Sequence, residues 1–175
     1  MSRALRFAPL GLLLVLLAGL VWRLSTPADT AVRSRLEGKT LPAFELPAAL
    51  PSKNGLSSRG LSRGEPRLLN IFASWCVPCI TEVRVLKMLQ ARGVAIDGIA
   101  IRDRPEDIAA FLARNGDPYQ RIGADDRSTV QISLGSSGVP ESFVVDGRGV
   151  IRYQHIGAIK DSDVPLILAK LEQAR

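Results

Sequence analysis

Short β-branched apolar runs and longer segments with helical apolar spacing follow one another along this chain. A β-branched run bounded by turn residues favours a buried strand, and apolar residues recurring every three or four positions favour a helix. The pattern predicts strands at 41–46, 67–73 and 94–101, helices at 77–92, 105–114 and 161–173, a short helical segment near 127–134, and a hairpin of 141–145 with 150–156. Strands alternating with helices and then a hairpin predict an α/β fold around a mixed sheet.

The first apolar run, at 7–22, has no charged or strongly polar side chain and follows Arg3 and Arg6. Its sixteen residues span about 24 Å as a helix, slightly less than a hydrocarbon core of about 30 Å. We expect an uncleaved transmembrane anchor at 1–23, a polar tether at 24–38 and a folded domain at 39–175. A cleaved signal peptide is the alternative. Both interpretations place the domain in the periplasm of a bacterium and the arginines in the cytoplasm, at the inner membrane.

Half of the net positive charge of the chain comes from the three arginines that flank this segment. The whole chain has 23 lysines and arginines against 17 acidic residues, and without Arg3, Arg6 and Arg23 the balance is 20 against 17, or +3. No basic stripe with interleaved aromatic residues accompanies this small excess. We therefore expect no nucleic-acid partner.

Both cysteines of the chain lie in one motif, Cys76-Val77-Pro78-Cys79, directly after Trp75. The predicted elements put this motif at a strand-to-helix turn, where unpaired N–H groups and the helix dipole favour a thiolate at Cys76. A thiolate is the nucleophile of thiol–disulfide exchange, and Cys79 lies one helical turn on, where it can resolve a mixed disulfide. The spacing therefore indicates redox chemistry.

Other uses of the two cysteines are disfavoured. Two cysteines and one histidine are too few for a four-ligand Cys/His zinc site, and Ile80 stands where a c-type haem attachment motif requires histidine. A structural disulfide across so short a loop would restrain little unfolded-chain entropy. We expect no metal and no cofactor besides a redox-active Cys76–Cys79 disulfide. Val77 adds no positive charge beside the thiolate, so we expect a reduction potential below about −180 mV.

Several blocks of the sequence carry a family resemblance: 38–44 (GKTLPAF), 69–79 (LNIFASWCVPC) with Glu82, 138–147 (GVPESFVVDG) and 151–157 (IRYQHIG). Together they resemble the membrane-anchored cytochrome c biogenesis thiol:disulfide interchange proteins, the CcmG/DsbE family. The resemblance covers almost the whole chain. It implies a thioredoxin-like three-layer α/β sandwich with an inserted helix–strand unit between Cys79 and Pro140, preceded by one transmembrane helix.

The resemblance also implies roles for individual residues. Cys76 is the expected attacking thiol and Cys79 the resolving thiol. Val139-Pro140 is the expected cis-proline loop, whose backbone pairs with an extended substrate peptide. Trp75 is expected to contact the substrate together with this loop.

The resemblance also implies catalytic roles for two acidic residues. Glu82 follows Cys79 by three residues and so lies on nearly the same face of the helix. Glu141 follows the proline and is expected to approach the dithiol from the opposite side. Carboxylates near the pair would raise the thiol pKa values and relay protons to Cys79. His155, the only histidine, is interpreted as structural.

The function that the resemblance implies is reduction of apocytochrome c C-x-x-C-H disulfides for haem attachment. The expected partners are apocytochrome c, the cytochrome c maturation machinery and a membrane thiol-transfer protein that supplies electrons. A general periplasmic reductant or an oxidase of the same fold is one alternative, and a non-catalytic binding module is another. The segments 101–104 and 134–138 depart from the family pattern beside the expected substrate groove, so they bear on partner specificity.

Overall fold

The computed structural model describes residues 11–20 and 36–175, which belong to two separate compact units. Residues 11–20 form a helix, α1, with exposed side chains. The rest of the predicted anchor at 1–23 and most of the predicted tether at 24–38 lie outside the described residues. In the part of the chain that is described, no helix combines the length and the apolar character needed to cross a membrane.

Residues 36–175 contain seven strands and five further helices. In chain order they are β1 (Glu45–Leu46), β2 (Leu56–Ser57), α2 (Ser58–Leu61), β3 (Arg67–Phe72), α3 (Val77–Ala91), β4 (Ile96–Ile101), α4 (Pro105–Asn115), β5 (Arg121–Asp125), α5 (Thr129–Ser133), β6 (Glu141–Val145), β7 (Ile151–Ile156), and, after a 3-10 turn at Asp161–Asp163, α6 (Val164–Gln173).

Five strands form the central sheet in the order β5-β4-β3-β6-β7. β3, β4 and β5 run parallel, whereas β6 is antiparallel to β3 and to β7. β1 and β2 pair separately as a short antiparallel ladder. The predicted mixed α/β sheet is therefore confirmed, and α4 with β5 forms a helix–strand unit that lies between β4 and β6 along the chain and adds an edge strand to the sheet.

The pattern of the sequence overestimated the length of the first strand and missed β5. The predicted strand at 41–46 is reduced to Glu45–Leu46, and β2 and α2 were not predicted. β5 contains no β-branched run. At its centre, a Cβ on Gly123 would lie 2.8 Å from Leu46 Cβ, so a side chain is excluded there. The extended conformation of β5 follows from pairing with β4, which local pattern does not reveal.

One face of the sheet carries the helices that matter for the cysteine motif. Asn70 and Phe72 are two residues apart in β3, so their side chains point to the same face of the sheet. Phe72 stacks on Phe111 of α4 with ring centroids 5.8 Å apart. Asn70 donates a hydrogen bond to Glu82 of α3. We call this side of the sheet the α3 face.

The α3 face depends on a glycine in β4. Phe72 also stacks on Tyr119, with ring centroids 4.6 Å apart. A Cβ at Gly98 would lie 2.8 Å from Phe72 Cε1 and 3.1 Å from Tyr119 Cδ1. These distances are too short for van der Waals contact, so only glycine leaves room for the two rings.

We therefore expect Gly98→Ala to lower the free energy of unfolding by roughly 1–3 kcal/mol, because the added methyl group overpacks the core. Chemical denaturation measures the effect. Gly138→Ala is the matched control, because a Cβ at Gly138 meets no atom within 4 Å. Equal losses in the two variants would contradict the packing argument.

The β6–β7 hairpin is fastened by a buried carboxylate at its turn. Asp146 accepts hydrogen bonds from the N–H groups of Arg148 and Val150, both at 2.9 Å, and from Arg152 Nη2 at 2.6 Å. Burial opposes ionisation of Asp146, but the hydrogen bonds of Val150, Arg152 and Arg148 outweigh it and lower the pKa of this carboxyl. Arg152 of β7 therefore stabilises the turn from the adjoining strand.

Candidate functional site

The cysteine motif lies where β3 ends and α3 begins. Cys76 and Cys79 form a disulfide, with Cα atoms 5.3 Å apart. Cys76 is the N-cap residue of α3, and its Sγ accepts a hydrogen bond from the Cys79 N–H at 3.2 Å. Pro78 occupies the first turn of the helix, where a missing N–H leaves no hydrogen bond unmade. The predicted pairing of the two cysteines is present.

Three apolar side chains around this turn are exposed to solvent. Trp75 is 55% exposed, Val77 70% and Ile80 41%. Ile80 and Val83 recur at near-helical spacing in α3, yet the Ile80 side chain is exposed and the Val83 side chain is buried. An exposed apolar rim around a redox pair is suited to contact with another protein.

The predicted proline loop lies at the same edge of the sheet. The Val139–Pro140 peptide bond is cis. Glu141 of β6 pairs with Ile71 of β3, and the two strands are antiparallel. The start of β6 therefore meets the end of β3, which brings Pro140 to the edge from which the Cys76 turn leaves.

Glu82 lies in the core, one helical turn from Cys79. Its side chain is buried, and its two carboxylate oxygens accept hydrogen bonds from Asn70 Nδ2 at 2.9 Å and from the Ile159 N–H at 3.1 Å. Burial raises the pKa of the Glu82 carboxyl from 4.5 to about 7, although the hydrogen bonds from Ile159 and Asn70 act in the opposite direction. A carboxyl with this pKa can both accept and donate a proton near neutral pH.

The partners of Glu82 extend the polar network across the α3 face. Asn70 Nδ2 also donates to Ser142 Oγ at 3.0 Å, and the Tyr119 hydroxyl donates to Asn70 Oδ1 at 2.8 Å. Burial and then the charge of Glu82 raise the pKa of Tyr119 well above 10, so this hydroxyl remains a donor. The network fixes the orientation of the Asn70 amide towards Glu82.

Glu141 lies on the opposite face of the sheet. Neighbouring residues of a strand point to opposite sides, and Ser142 faces the Glu82 network. The Glu141 carboxylate accepts hydrogen bonds from the Ser137 N–H at 3.0 Å and from Gln154 Nε2. It is fully buried. Glu141 therefore anchors the loop before Pro140, and the two predicted acids are separated by the sheet.

Sequence reasoning missed Asn70, Ser142 and Tyr119. Asn70 interrupts the apolar run of β3, and a polar residue inside such a strand is a signal of a buried network. Ser142, beside Glu141 at the start of β6, gave a weaker signal. Tyr119 offered no comparable signal, because its role follows from stacking on Phe72.

The described residues offer no metal site. Within 11–20 and 36–175, no group of three or more histidine, cysteine, aspartate or glutamate side chains is arranged to hold a metal ion. His155 Nε2 lies 3.8 Å from the Asp163 carboxylate, where it joins β7 to the turn before α6.

Comparison with known proteins gives consistent results. The Redoxin family model matches residues 36–171. The thiol:disulfide interchange protein DsbE of Tatumella citrea is 35% identical over 175 residues, covering 95% of this chain and 95% of that protein. DsbE of Escherichia coli K12 is 34% identical over 90% of this chain and 87% of its own length, and DsbE of Vibrio cholerae is 36% identical over 98% and 95%.

Solved structures show the same fold. A structure described as a DsbE-type thiol:disulfide interchange protein from Chlorobium tepidum has a TM-score of 0.65 and 23% identity, covering 79% of this chain and 96% of that chain. A thiol-disulfide oxidoreductase from Bacteroides fragilis has a TM-score of 0.63 and 22% identity, covering 76% and 99%. The thioredoxin-like fold expected for this chain is therefore confirmed.

Proposed function

The chain belongs to the DsbE family of thiol:disulfide interchange proteins, and on that basis we propose that it reduces the C-x-x-C-H disulfide of apocytochrome c before haem attachment. The chain is a thiol-disulfide oxidoreductase of the thioredoxin fold. The proposal adds a direction, which is reduction, and a substrate class, which is a protein disulfide in an extended haem-binding motif.

The direction of electron flow is supported by the charges around the disulfide. A dithiol becomes a strong oxidant when its reduced thiolate form is stabilised. Here the residue after Cys76 is the neutral, exposed Val77, and a buried carboxyl, Glu82, lies one turn below Cys79. A carboxylate near the pair destabilises a thiolate. This buried Glu82 beneath the disulfide is the observation that carries the assignment to a reductant.

The exchange proceeds in two steps from the reduced pair. The Cys76 thiolate attacks one sulfur of the substrate disulfide, so a Cys76–substrate disulfide forms and the other substrate sulfur leaves as a thiolate that takes up a proton. Cys79 then loses its proton and attacks Cys76 Sγ. The second substrate sulfur leaves, and the Cys76–Cys79 disulfide forms. Two electrons have passed to the substrate.

The second step needs a base near Cys79, and we assign that role to Glu82. Its carboxyl is on the buried side of α3 with Cys79, and its pKa is about 7. Glu141 has a different role in the proposal. It holds the loop before Pro140 through the Ser137 N–H and Gln154, so it acts on substrate binding through that loop.

The loop before Pro140 supplies a site for an extended chain. The Pro140 carbonyl accepts a hydrogen bond from the Gly157 N–H at 3.0 Å. Among the described residues, none donates to or accepts from the backbone of Val139. A substrate strand can therefore pair with Val139 by β-augmentation, while the exposed rim of Trp75, Val77 and Ile80 contacts its apolar side chains.

The cellular setting of the proposal comes from the N-terminal sequence. The apolar run at 7–22 after Arg3 and Arg6 supports a single membrane anchor with the redox domain in the periplasm of a bacterial inner membrane. Anchoring would raise the local concentration of the enzyme near membrane-bound assembly partners. After each turnover the disulfide needs two electrons and two protons, for which we propose a membrane thiol-transfer protein as donor.

Trapping in cells tests the proposal. In Cys79→Ser the resolving thiol is absent, so the Cys76–substrate disulfide should accumulate and be identifiable by mass spectrometry. We expect apocytochrome c or its assembly partners among the adducts. The matched control is Cys76→Ser with Cys79→Ser, which should yield no adducts.

Two results would overturn the assignment. A broad set of unrelated periplasmic proteins would indicate a general reductant. Full cytochrome c assembly in cells that carry only the variant lacking both cysteines would indicate a binding module without redox chemistry.

A further inference from the structure

The loop between β4 and α4 contacts the turn that carries Cys76. We call residues 102–104 the β4–α4 loop. Asp103 Oδ2 accepts a hydrogen bond from the Ser74 N–H at 2.5 Å, and Asp103 Oδ1 accepts one from the Ser74 hydroxyl at 2.7 Å. Ser74 lies two residues before Cys76. Both oxygens of one carboxylate therefore hold the backbone that leads into the attacking cysteine.

The same loop holds Trp75. The indole Nε1–H of Trp75 donates to the Arg102 carbonyl at 3.2 Å. Trp75 is 55% exposed, so this bond is made at the edge of a ring that otherwise stands in solvent. The indole is thereby held in one orientation beside the disulfide.

Arg102 makes this contact from a strained backbone conformation. Its φ is 45°, in the left-handed region that side chains other than glycine rarely adopt. Its N–H donates to the Asp125 carbonyl at 3.3 Å, which ties it to the end of β5. Strain of this kind persists only where the surroundings impose it, and it is concentrated at functional sites.

Among the described residues, the Asp103 carboxylate makes few contacts besides those with Ser74. Arg104, the N-cap residue of α4, has no side-chain capping bond. In the described part of the chain, the Asp103 carboxylate accepts one further hydrogen bond, from the Arg104 N–H at 3.0 Å, and its charge also acts on the Arg104 guanidinium. The two hydrogen bonds from Ser74 are therefore the main interactions of this partly buried carboxylate.

We propose that Asp103 and the left-handed Arg102 are positioning residues for thiol–disulfide exchange, which fix the Cys76 turn and the Trp75 ring in one geometry for a protein substrate. In thiol–disulfide exchange, Cys76 Sγ and the two sulfur atoms of the substrate disulfide must lie nearly in line. Small displacements of Cys76 Sγ therefore lower the rate of exchange. The Trp75 ring contacts only a substrate that extends beyond its disulfide. The β4–α4 loop therefore acts more strongly on protein substrates than on small disulfides.

This inference rests on the oxidoreductase activity and does not require that the substrate be apocytochrome c. Any disulfide-bonded C-x-x-C peptide serves as the probe, so its test is separate from the trapping experiment in cells. The segment concerned, 101–104, is one of the two that depart from the family pattern.

A pair of substitutions at Arg102 tests the role of its backbone. Arg102→Gly and Arg102→Val both remove the guanidinium, but only glycine adopts φ 45° without strain, whereas a β-branched side chain resists it. We expect Arg102→Gly to keep kcat/KM for a disulfide-bonded C-x-x-C peptide within about twofold, and Arg102→Val to lose about tenfold. With oxidised glutathione as substrate, the loss in Arg102→Val should be clearly smaller than with the peptide, because contact with the Trp75 ring contributes less for a small disulfide.

Fluorescence of Trp75 supplies a second measurement that a general loss of stability would not reproduce. Trp22 and Trp75 are the only tryptophans, so Trp22→Phe isolates the signal of Trp75. In that background we expect faster indole motion, seen as lower anisotropy, in Arg102→Val and unchanged anisotropy in Arg102→Gly.

Substitutions at Asp103 test the carboxylate. Asp103→Asn keeps one acceptor for Ser74 and Asp103→Ala keeps none, so the loss of peptide kcat/KM should be larger for Asp103→Ala. Asp126→Asn, which changes an exposed carboxylate of the loop between β5 and α5, is the control and should have no effect.

Three results would overturn the proposal. The first is equal activity of Arg102→Val and Arg102→Gly. The second is an equal loss with the peptide and with oxidised glutathione. The third is a loss in the Asp103 variants that equals their unfolded fraction in a denaturation experiment.

Discussion

Replacing Cys76 by serine is expected to lower the rate of protein-disulfide reduction by about a thousandfold or more, since the only attacking sulfur is lost. Cys79→Ser should behave differently. It should still attack one equivalent of a disulfide substrate and then stop as a mixed disulfide. Cys76 is the N-cap of α3, where its Sγ accepts the Cys79 N–H, so the thiolate of Cys76 is the better stabilised of the two.

Stopped-flow measurement with a disulfide-bonded C-x-x-C peptide distinguishes the two variants. The expected signature is a stoichiometric burst for Cys79→Ser and none for Cys76→Ser. The reverse assignment, with a burst only in Cys76→Ser, would show that Cys79 is the attacking thiol. Circular dichroism of both variants provides the control for folding.

The second large effect concerns the buried Glu82. Its carboxyl has a pKa of about 7 in the folded protein because burial disfavours its charged form, against an ordinary value of 4.5. The folded state therefore binds more protons than the unfolded state between these two values. Stability is full below about pH 4.5 and is lost as the pH rises through about 7. The shift corresponds to roughly 3 kcal/mol.

Glu82→Gln should abolish this dependence, because an amide does not ionise. The free energy of unfolding of the oxidised protein, in which the cysteines do not titrate, should be measured by denaturation from pH 4 to 8.5. We expect the difference between the unsubstituted protein and Glu82→Gln to shift in favour of Glu82→Gln by roughly 3 kcal/mol across this range.

Glu65→Gln is the control for Glu82→Gln, because Glu65 is an exposed glutamate. Its difference from the unsubstituted protein should not vary over the same range. A flat difference for Glu82→Gln as well would show that the pKa of Glu82 is not raised in the folded protein, and would contradict its assignment as the proton acceptor for Cys79 near neutral pH.

The redox pair was predictable from local sequence for a specific reason. Strand, turn and helix are adjacent in the chain, so the apolar run before Trp75 and the helical spacing after Pro78 sufficed to place Cys76 at the start of a helix. The disulfide between Cys76 and Cys79 follows from the same proximity. The environments of the two acids were not predictable from local sequence. Nothing in the spacing indicates that Glu82 is buried or that Glu141 lies across the sheet from it.

The sequence by itself determined the longer helices and strands, their α/β order and the position of the two cysteines, because these depend on neighbours along the chain. Only the tertiary structure decided the environment of the pair. Ile159 donates to Glu82, Asn70 donates to Ser142, and Ser74 donates to Asp103 because segments distant in sequence are brought side by side. Burial, which raises the pKa of Glu82 to about 7, exists only once those segments and α3 have packed together.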